Sequence, residues 1–495
     1  MGGRLVSRVL SAAVLGLPVL AAPAFAAASH GAEASAAGVS LELTSVSPAV
    51  VRAGQPLVVA GTVHNDGGNP LPKPVVRVVL GASSSAASRE SVQAWADATG
   101  PAQGVEIART RLVADVAPGA TGSFRIVVSG LAGRSTAATY GALPLSVETG
   151  TESVRTFAGF QRIKQYQPMS IAWAVPLTLD PDPNLFGGVR PARELAWQQA
   201  LGPASRVNRV IDATRGSSVT WAVDPTLTPS LLQGGVDTSP ASTQEHALRQ
   251  ATESLISSEA SQHTPWVMPD TDADVGAVAG SGQGEPLMEA LVARAPPVAE
   301  ALGGRADIAW PADGAYTVAG EAGLRRMFHH PALAGQVTAA GALPPAVSGM
   351  TPPAAQRSVS GLPLLAYDQS LSSLFARTTS AGDAVLSTQQ FVADSAALLN
   401  ELPGTEGRTV FVVAPRSFNP DPVAAQRFLA ATMALRHEHG CRARRGAPVR
   451  PDERRSGDAA RDSVRRRDAA SADHREAGRP RADDPHSAGG GPDPR

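Results

Sequence analysis

One phrase recurs four times in the middle of this chain, and it restricts the available folds more than any other feature. Ile171-Ala-Trp173-Ala-Val-Pro176 runs on to Asp180 and Asp182. Val219-Thr-Trp221-Ala-Val-Asp224-Pro225 repeats it, and Thr264-Pro-Trp266-Val-Met-Pro269-Asp270, trailed by Asp272 and Asp274, is the third copy. Ile308-Ala-Trp310-Pro311-Ala-Asp313 is the fourth, and the tryptophans stand 48, 45 and 44 residues apart. Leu364-Leu-Ala-Tyr367-Asp368 and Val410-Phe-Val-Val-Ala-Pro415-Arg416 read as later copies without tryptophan. Each copy has the length of a buried strand, and helical patterns fill the intervals. These patterns cover residues 204–214, with Val207, Val210 and Ile211 on one face, and 243–259, 285–302, 388–402 and 422–435. Asp421-Pro422 is a helix start with proline in the first turn. Strand then helix, repeated, calls for a parallel sheet covered by helices. A (β/α) barrel or barrel-like fold over residues 168–435 is the first expectation, and an open doubly wound parallel sheet is the alternative.

Topology turns this pattern into a functional expectation. In a parallel sheet the C-terminal ends of all strands share one face, where barrel enzymes carry their chemistry. Asp182, Asp224, Asp270, Asp272, Asp313, Asp368 and Arg416 would gather there, with Trp173, Trp221, Trp266 and Trp310 just before them. Aromatic faces beside carboxylates suit stacking on sugar rings, and a carboxylate pair suits acid/base work at a glycosidic bond. Asp224 and Asp313 are the candidate catalytic pair; the other nine residues are candidate ligand contacts. The same residues have a plainer reading. An aspartate after a strand is a common helix cap or turn residue, and a tryptophan at a fixed strand position fills a core layer.

Several chemistries find no support. His263, His329 and His330 form no HxxxH or HExxH pattern, and the single cysteine, Cys441, excludes a Cys-based zinc site, so no metal is expected. The glycine-rich segment 276–284 lacks a P-loop lysine, and no GxSxG elbow is present. No cofactor is expected. A formal charge of -1 argues against a general nucleic-acid binder.

The segment before the repeats is built differently. Residues 39–160 alternate with period 2 and are punctuated by turns, as in Val39 to Val46, Pro56 to Val63, Pro74 to Leu80, Thr110 to Val116, Gly122 to Ser129 and Tyr140 to Val147. Short strands at this spacing predict an antiparallel sandwich, with 83–104 as an inserted loop. The phrases Gly61-Thr62-Val63-His64-Asn65-Asp66-Gly67 and Val116-Ala117-Pro118-Gly119-Ala120-Thr121 resemble bacterial immunoglobulin-like envelope modules. Ahead of this, Arg4 and Arg8, the apolar stretch Val9 to Ala22, and Ala24-Phe25-Ala26 make a secretory signal peptide over residues 1–26. Residues 27–38 are a small-residue linker. Pro18 and the short apolar run argue against a membrane anchor. The expected location is secreted or extracytoplasmic, at the cell envelope.

Trp221-Ala-Val-Asp224-Pro225-Thr-Leu, Val267-Met-Pro269-Asp270-Thr-Asp272-Ala-Asp274-Val and Ala309-Trp310-Pro311-Ala-Asp313 together resemble an actinobacterial envelope family, domain-of-unknown-function family 6049. The resemblance spans Val39 to Leu435. It implies a signal peptide, an immunoglobulin-like domain, an α/β domain and a C-terminal membrane anchor, in a cell-wall setting beside the lipid II flippase. No activity is attached to the family, so it lends no catalytic residue.

The last 60 residues depart from this pattern. Residues 436–495 hold 15 arginines and 11 acidic residues, with Val449 and Val464 as their only large apolar side chains. The chain has two lysines, Lys73 and Lys164, against 41 arginines, a bias that points to GC-rich coding. The tail therefore reads as disordered; the product of a shifted reading frame, with the anchor missing and the α/β domain incomplete, is the first expectation, and a native mixed-charge tail is the alternative. The tail carries +4; the stretch from 27 to 435 carries −7. Three functions compete: a glycan-binding envelope protein, a glycoside hydrolase using paired carboxylates, and a scaffold for a membrane partner in wall synthesis.

Overall fold

The computed structural model describes residues 38–81, 88–134, 138–232, 242–281, 283–344, 350–438 and 442–443. The expected signal peptide, all of the linker but Gly38, and most of the tail lie outside these residues.

The N-terminal region comprises β1 (Val39–Ser47), β2 (Val50–Arg52), β3 (Leu57–Asn65), β4 (Val75–Gly81), helix α1 (Arg89–Asp97), β5 (Gly104–Arg111), β6 (Thr121–Val128), β7 (Tyr140–Thr149) and β8 (Glu152–Gln161). Two sheets form, in the orders β1-β3-β6 and β2-β8-β7-β4-β5. Alternation makes them a sandwich: every second residue of β3 is buried, from Leu57 to Asn65. Leu43, Val59 and Phe124 of one sheet meet Val78, Leu145 and Phe160 of the other in one core. The stretch expected to be an inserted loop contains α1, opened by a capping box in which Ser88 accepts from the Ser91 amide.

The second region follows the strand–helix rhythm. Strand β9 (Ser170–Leu177) leads through α2 (Asn184–Gly187), α3 (Ala192–Leu201) and α4 (Arg206–Thr214) to β10 (Thr220–Val223). Helix α5 (Thr243–His263) precedes β11 (Trp266–Val267), and α6 (Val275–Val278), α7 (Glu285–Val292) and α8 (Ala295–Ala301) precede β12 (Ile308–Ala309). Then come α9 (Val318–Met327), β13 (Gly335–Ala339), β14 (Ala355–Arg357), β15 (Pro363–Tyr367), α10 (Gln369–Ala376), α11 (Ala381–Glu401), β16 (Thr409–Val413), α12 (Pro422–Glu438) and β17 (Arg442–Ala443). The single helix expected over 285–302 is two: proline has no amide hydrogen to donate, so Pro296 and Pro297 restart the helix at its first turn.

Seven of these strands make a nearly closed parallel ring. The pairing order is β11-β10-β9-β16-β15-β13-β12, so neighbours in the chain are neighbours in the ring and β16 returns to β9. The remaining gap, between β11 and β12, is bridged just ahead of β12: Arg305 accepts from the Val267 amide at 2.7 Å and donates to Pro265 at 3.0 Å. An open doubly wound sheet would leave two free edges. The short strands β14 and β17 attach to β15 and β9.

Register decides which side chains enter the ring. In a parallel pair, residues level with each other point to the same face. Trp221 is level with Val175, and Trp266 is level with Ala222. Trp221 therefore faces the helices with Trp173 and Val175, whereas Trp266 faces the lumen with Ala174 and Ala222. Trp310, Tyr367, Phe411 and Met268 are the other large residues of this interior, with Val337, Leu365 and Val413 among them. Alanines on β9 and β10 leave the volume that these large residues fill from the other strands.

Helix α11 lies between the two regions and is buried on almost every side. Phe391 and Val392 join the barrel's outer core, while Ala393 packs with Phe157 and Ala142 of the sandwich. Gln389 donates to the carbonyl of Val46 on β1 at 3.1 Å.

Candidate functional site

The C-terminal ends of β10, β11, β12 and β16 meet in one cluster. Strand β10 runs straight into Asp224, whose Oδ1 accepts from the Thr226 amide at 2.9 Å and caps the short turn Pro225–Leu227. The same oxygen accepts from the Thr271 amide at 3.1 Å, in the loop after β11. Asp224 is 2% exposed. Burial pushes its carboxyl up to about 7, against the hydrogen bonds from Thr226 and with help from the charges of Asp272 and Asp270.

Loop 270–274 carries the other acids. Asp270 is buried, forms an ion pair with Arg294, and accepts from Thr226 Oγ1 at 3.3 Å. Asp272 Oδ2 accepts from Arg416 Nε at 2.6 Å. Burial raises the Asp272 carboxyl, and Arg416 opposes the rise. Arg416 also donates to the carbonyl of Trp310 at 2.9 Å, and its guanidinium lies 5.4 Å from the centre of the Trp310 ring. Arg206, on α4, fixes Arg416 from behind by donating to its carbonyl at 2.7 Å. The rings of Trp310 and Trp266 stand edge to face, 6.5 Å apart. Among the described residues, Asp272 Oδ1 and Trp266 Nε1 are buried and have no hydrogen-bond partner.

Six of the residues singled out in the sequence thus come together: Asp224, Trp266, Asp270, Asp272, Trp310 and Arg416. The other five do not join them. Trp173 is enclosed by Phe375, Phe391 and Phe428 in the helix layer. Trp221 stacks on His263 at 3.8 Å and donates to Thr214 Oγ1 at 2.9 Å. Alternation along β9 and β10 turns both indoles away from the lumen. Asp182 accepts from the Asn184 amide at 2.8 Å in the turn before α2. Asp313 is exposed, and its Oδ1 accepts from the Ala315 amide at 2.8 Å. Burial, and then the charge of Asp313, raise the Tyr367 hydroxyl, which Arg416 opposes. Asp368 caps α10 through the Leu371 amide and takes both terminal nitrogens of Arg89 on α1, at 2.6 and 2.7 Å.

Thr226, Thr271, Arg294 and Arg206 also build the cluster, although nothing in the repeated strand phrases singles them out. Asp224-Pro225-Thr226 does carry a local signal, since an aspartate before such a turn accepts the amide two residues on. The arginines carry none, because their partners are remote in sequence. Among the described residues, no group of three or more His, Cys, Asp or Glu side chains is placed to hold a metal ion. No described helix is long and apolar enough to cross a membrane.

No curated protein matches the chain. Among solved structures, a β-glucosidase from Listeria innocua in complex with glucose is similar at 14% identity and a TM-score of 0.18, over 25% of this chain and 16% of that one. The alkylpurine DNA glycosylase AlkC of Pseudomonas fluorescens is similar at 16% identity and a TM-score of 0.17, over 25% of this chain and 31% of its own. A CARDB domain from Pyrococcus furiosus is similar at 11% identity and a TM-score of 0.17, over 25% of this chain and 94% of that domain. The matched segments are a small part of the two enzymes, and likenesses this weak carry no chemistry. A family model does span the chain, over residues 3–435, and the protein belongs to DUF6049, a family of unknown function.

Proposed function

We propose that the barrel mouth binds a cell-wall or other glycan, and that the protein works outside the cytoplasm, at the cell envelope. One observation carries the binding reading. The Arg416–Asp272 pair is held against the face of Trp310, while Asp272 Oδ1 and Trp266 Nε1 remain buried and unpartnered among the described residues. A buried acceptor and a buried donor without partners are costly, and sugar hydroxyls can donate to a carboxylate oxygen and accept from an indole N–H. The signal-peptide pattern supports the location.

The hydrolase reading has less support. Asp224 is enclosed and bonded to turn amides, whereas Asp313 is exposed, so the two carboxyl groups stand in unlike environments. The test is titration calorimetry of the full chain with soluble peptidoglycan fragments and wall polysaccharides. Binding should weaken at least ~tenfold in Arg416→Ala, the loss expected when a hydrogen-bonded charge is removed. Absence of binding to every wall glycan would overturn the proposal. New reducing ends released in the same samples would establish hydrolysis instead. Co-purification with an envelope membrane protein, without glycan binding, would establish a scaffold.

A further inference from the structure

The loop after β11 has a conformation that its residues do not favour. Thr271 has φ 62° and Asp272 φ 47°, in the left-handed region that side chains with a Cβ avoid. The branched Thr271 makes this conformation unfavourable by about 1–3 kcal/mol. Thr271 is exposed, so packing does not impose the bend. Besides the local bond from Thr271 Oγ1 to the Asp270 carbonyl at 2.6 Å, what holds it is a set of bonds from the neighbouring strand. The Met268 amide donates to the carbonyl of Val223 at 2.9 Å, Thr226 Oγ1 donates to Asp270 at 3.3 Å, and the Thr271 amide donates to Asp224 Oδ1 at 3.1 Å.

We infer that Asp224 is the positioning residue of the mouth: its buried carboxylate pins the left-handed bend at Thr271–Asp272 and so presents Asp272 to Arg416. The bonds then run in one line across four strand ends. Asp224 after β10 holds Thr271 after β11, the adjacent Asp272 holds Arg416 after β16, and Arg416 holds the Trp310 carbonyl after β12. Asp224 touches no ligand in this scheme. It sets the geometry of the groups that do, and to that extent the inference rests on the mouth being the binding site.

The pin responds to pH, because an ionised carboxylate accepts a hydrogen bond more strongly than a carboxyl does. The charges of Asp272 and Asp270 act on Asp224; next to these two stand Asp274 on the loop, Arg294 between α7 and α8, Arg416 beyond β16, and Arg206 on α4. The arginines are paired with Asp270, with Asp272 and with Asp180, so Asp224 itself has no cation bonded to it among the described residues.

Amide hydrogen exchange at residue resolution on the full chain tests this. In the wild type the Thr271 amide should exchange ~10–100-fold more slowly than an unbonded amide, as a hydrogen bond to a charged acceptor gives. Its protection should grow between pH 6 and 8 after correction for intrinsic rates. Asp224→Ala should raise the exchange rate ~tenfold or more. Asp224→Asn should restore protection and abolish the pH dependence, because an amide oxygen accepts the same two N–H groups without titrating. An unprotected Thr271 amide in the wild type would overturn the inference without any variant. So would unchanged protection in Asp224→Ala. If these results hold and no glycan binds, the pin stands and the glycan reading fails. If exchange is unaffected, the pin fails whatever the glycan data show.

Discussion

The bond between Arg89 and Asp368 is the sharpest test of how the two regions are joined. Arg89 extends from α1, on the sandwich side, to the end of β15 in the barrel. Its two terminal nitrogens meet the two oxygens of Asp368 at 2.6 and 2.7 Å, Nη1 also donates to Thr351 at 3.3 Å, and Asp394 of α11 lies 3.7 Å away. The side chains of Arg89, Asp368 and Asp394 are 19%, 5% and 4% exposed. Arg89→Met keeps most of the volume and removes the charge, which leaves two buried carboxylates without their cation. Breaking one partner of a buried pair costs about 3–5 kcal/mol. Burial pushes Asp394 up to about 6, against the pull of Arg89. At pH 5 a proton can therefore replace part of the missing charge, and the loss should shrink. The assay is urea unfolding of the full chain at pH 8 and pH 5 for wild type, Arg89→Met, Asp368→Asn and the double variant. Arg89→Met should lose about 3–5 kcal/mol at pH 8 and less at pH 5. The double-mutant cycle should show a coupling of at least ~1.5 kcal/mol. A loss below ~1 kcal/mol at pH 8, or a cycle with no coupling, would refute the claim that this bond joins the regions.

Asp394 sets a pH slope of its own. Its folded pKa is raised above the unfolded value, so the stability it confers is full below about 4 and is lost as pH rises through about 6. The rise of this carboxyl to about 6 corresponds to roughly 3 kcal/mol, and Asp394→Asn should flatten this part of a stability–pH profile; an unchanged slope would count against it. Gly159 of β8 tests the seat of α11. A Cβ there would stand 2.7 Å from Val392 Cγ1 and 2.9 Å from the Ala49 carbonyl, so Gly159→Ala should cost about 1–3 kcal/mol in chemical unfolding. A neutral result would mean that the helix does not press on the sheet there.

The strand–helix alternation and the barrel-like parallel sheet were legible because each strand is a compact apolar phrase with turn residues after it. Which way each tryptophan points was not. Trp221 and Trp266 occupy the same place in their phrases but differ by one residue in register, and one residue exchanges lumen for helix layer. The acids divided for a related reason. Asp224 and Asp368 both end an apolar strand and both accept amides of the turn that follows. Only the partner across the fold separates them, and for Asp368 that partner lies 279 residues away. Helix α1 was invisible because residues 83–104 are mostly small and polar, and of its residues only Val92 is fully buried, with Trp95 and Ala96 half-buried beside it. Arg294 gave no signal either, since it stands at the break between two helices whose positions alone bring it to Asp270.

Helix α11 has a consequence for how such a chain can be divided. It belongs to the barrel by order of synthesis, yet one of its sides is part of the sandwich wall. A chain cut between Gln161 and Gln167 would yield an N-terminal piece with a bare stripe along Phe157 and Gly159. The C-terminal piece would carry Ala393 and its neighbours into water. The two regions are therefore poor modules for shuffling. A relative with a barrel and a different front half would need a new surface on this one helix, and a spectroscopic melt of the whole chain should show one transition where two independent beads would show two.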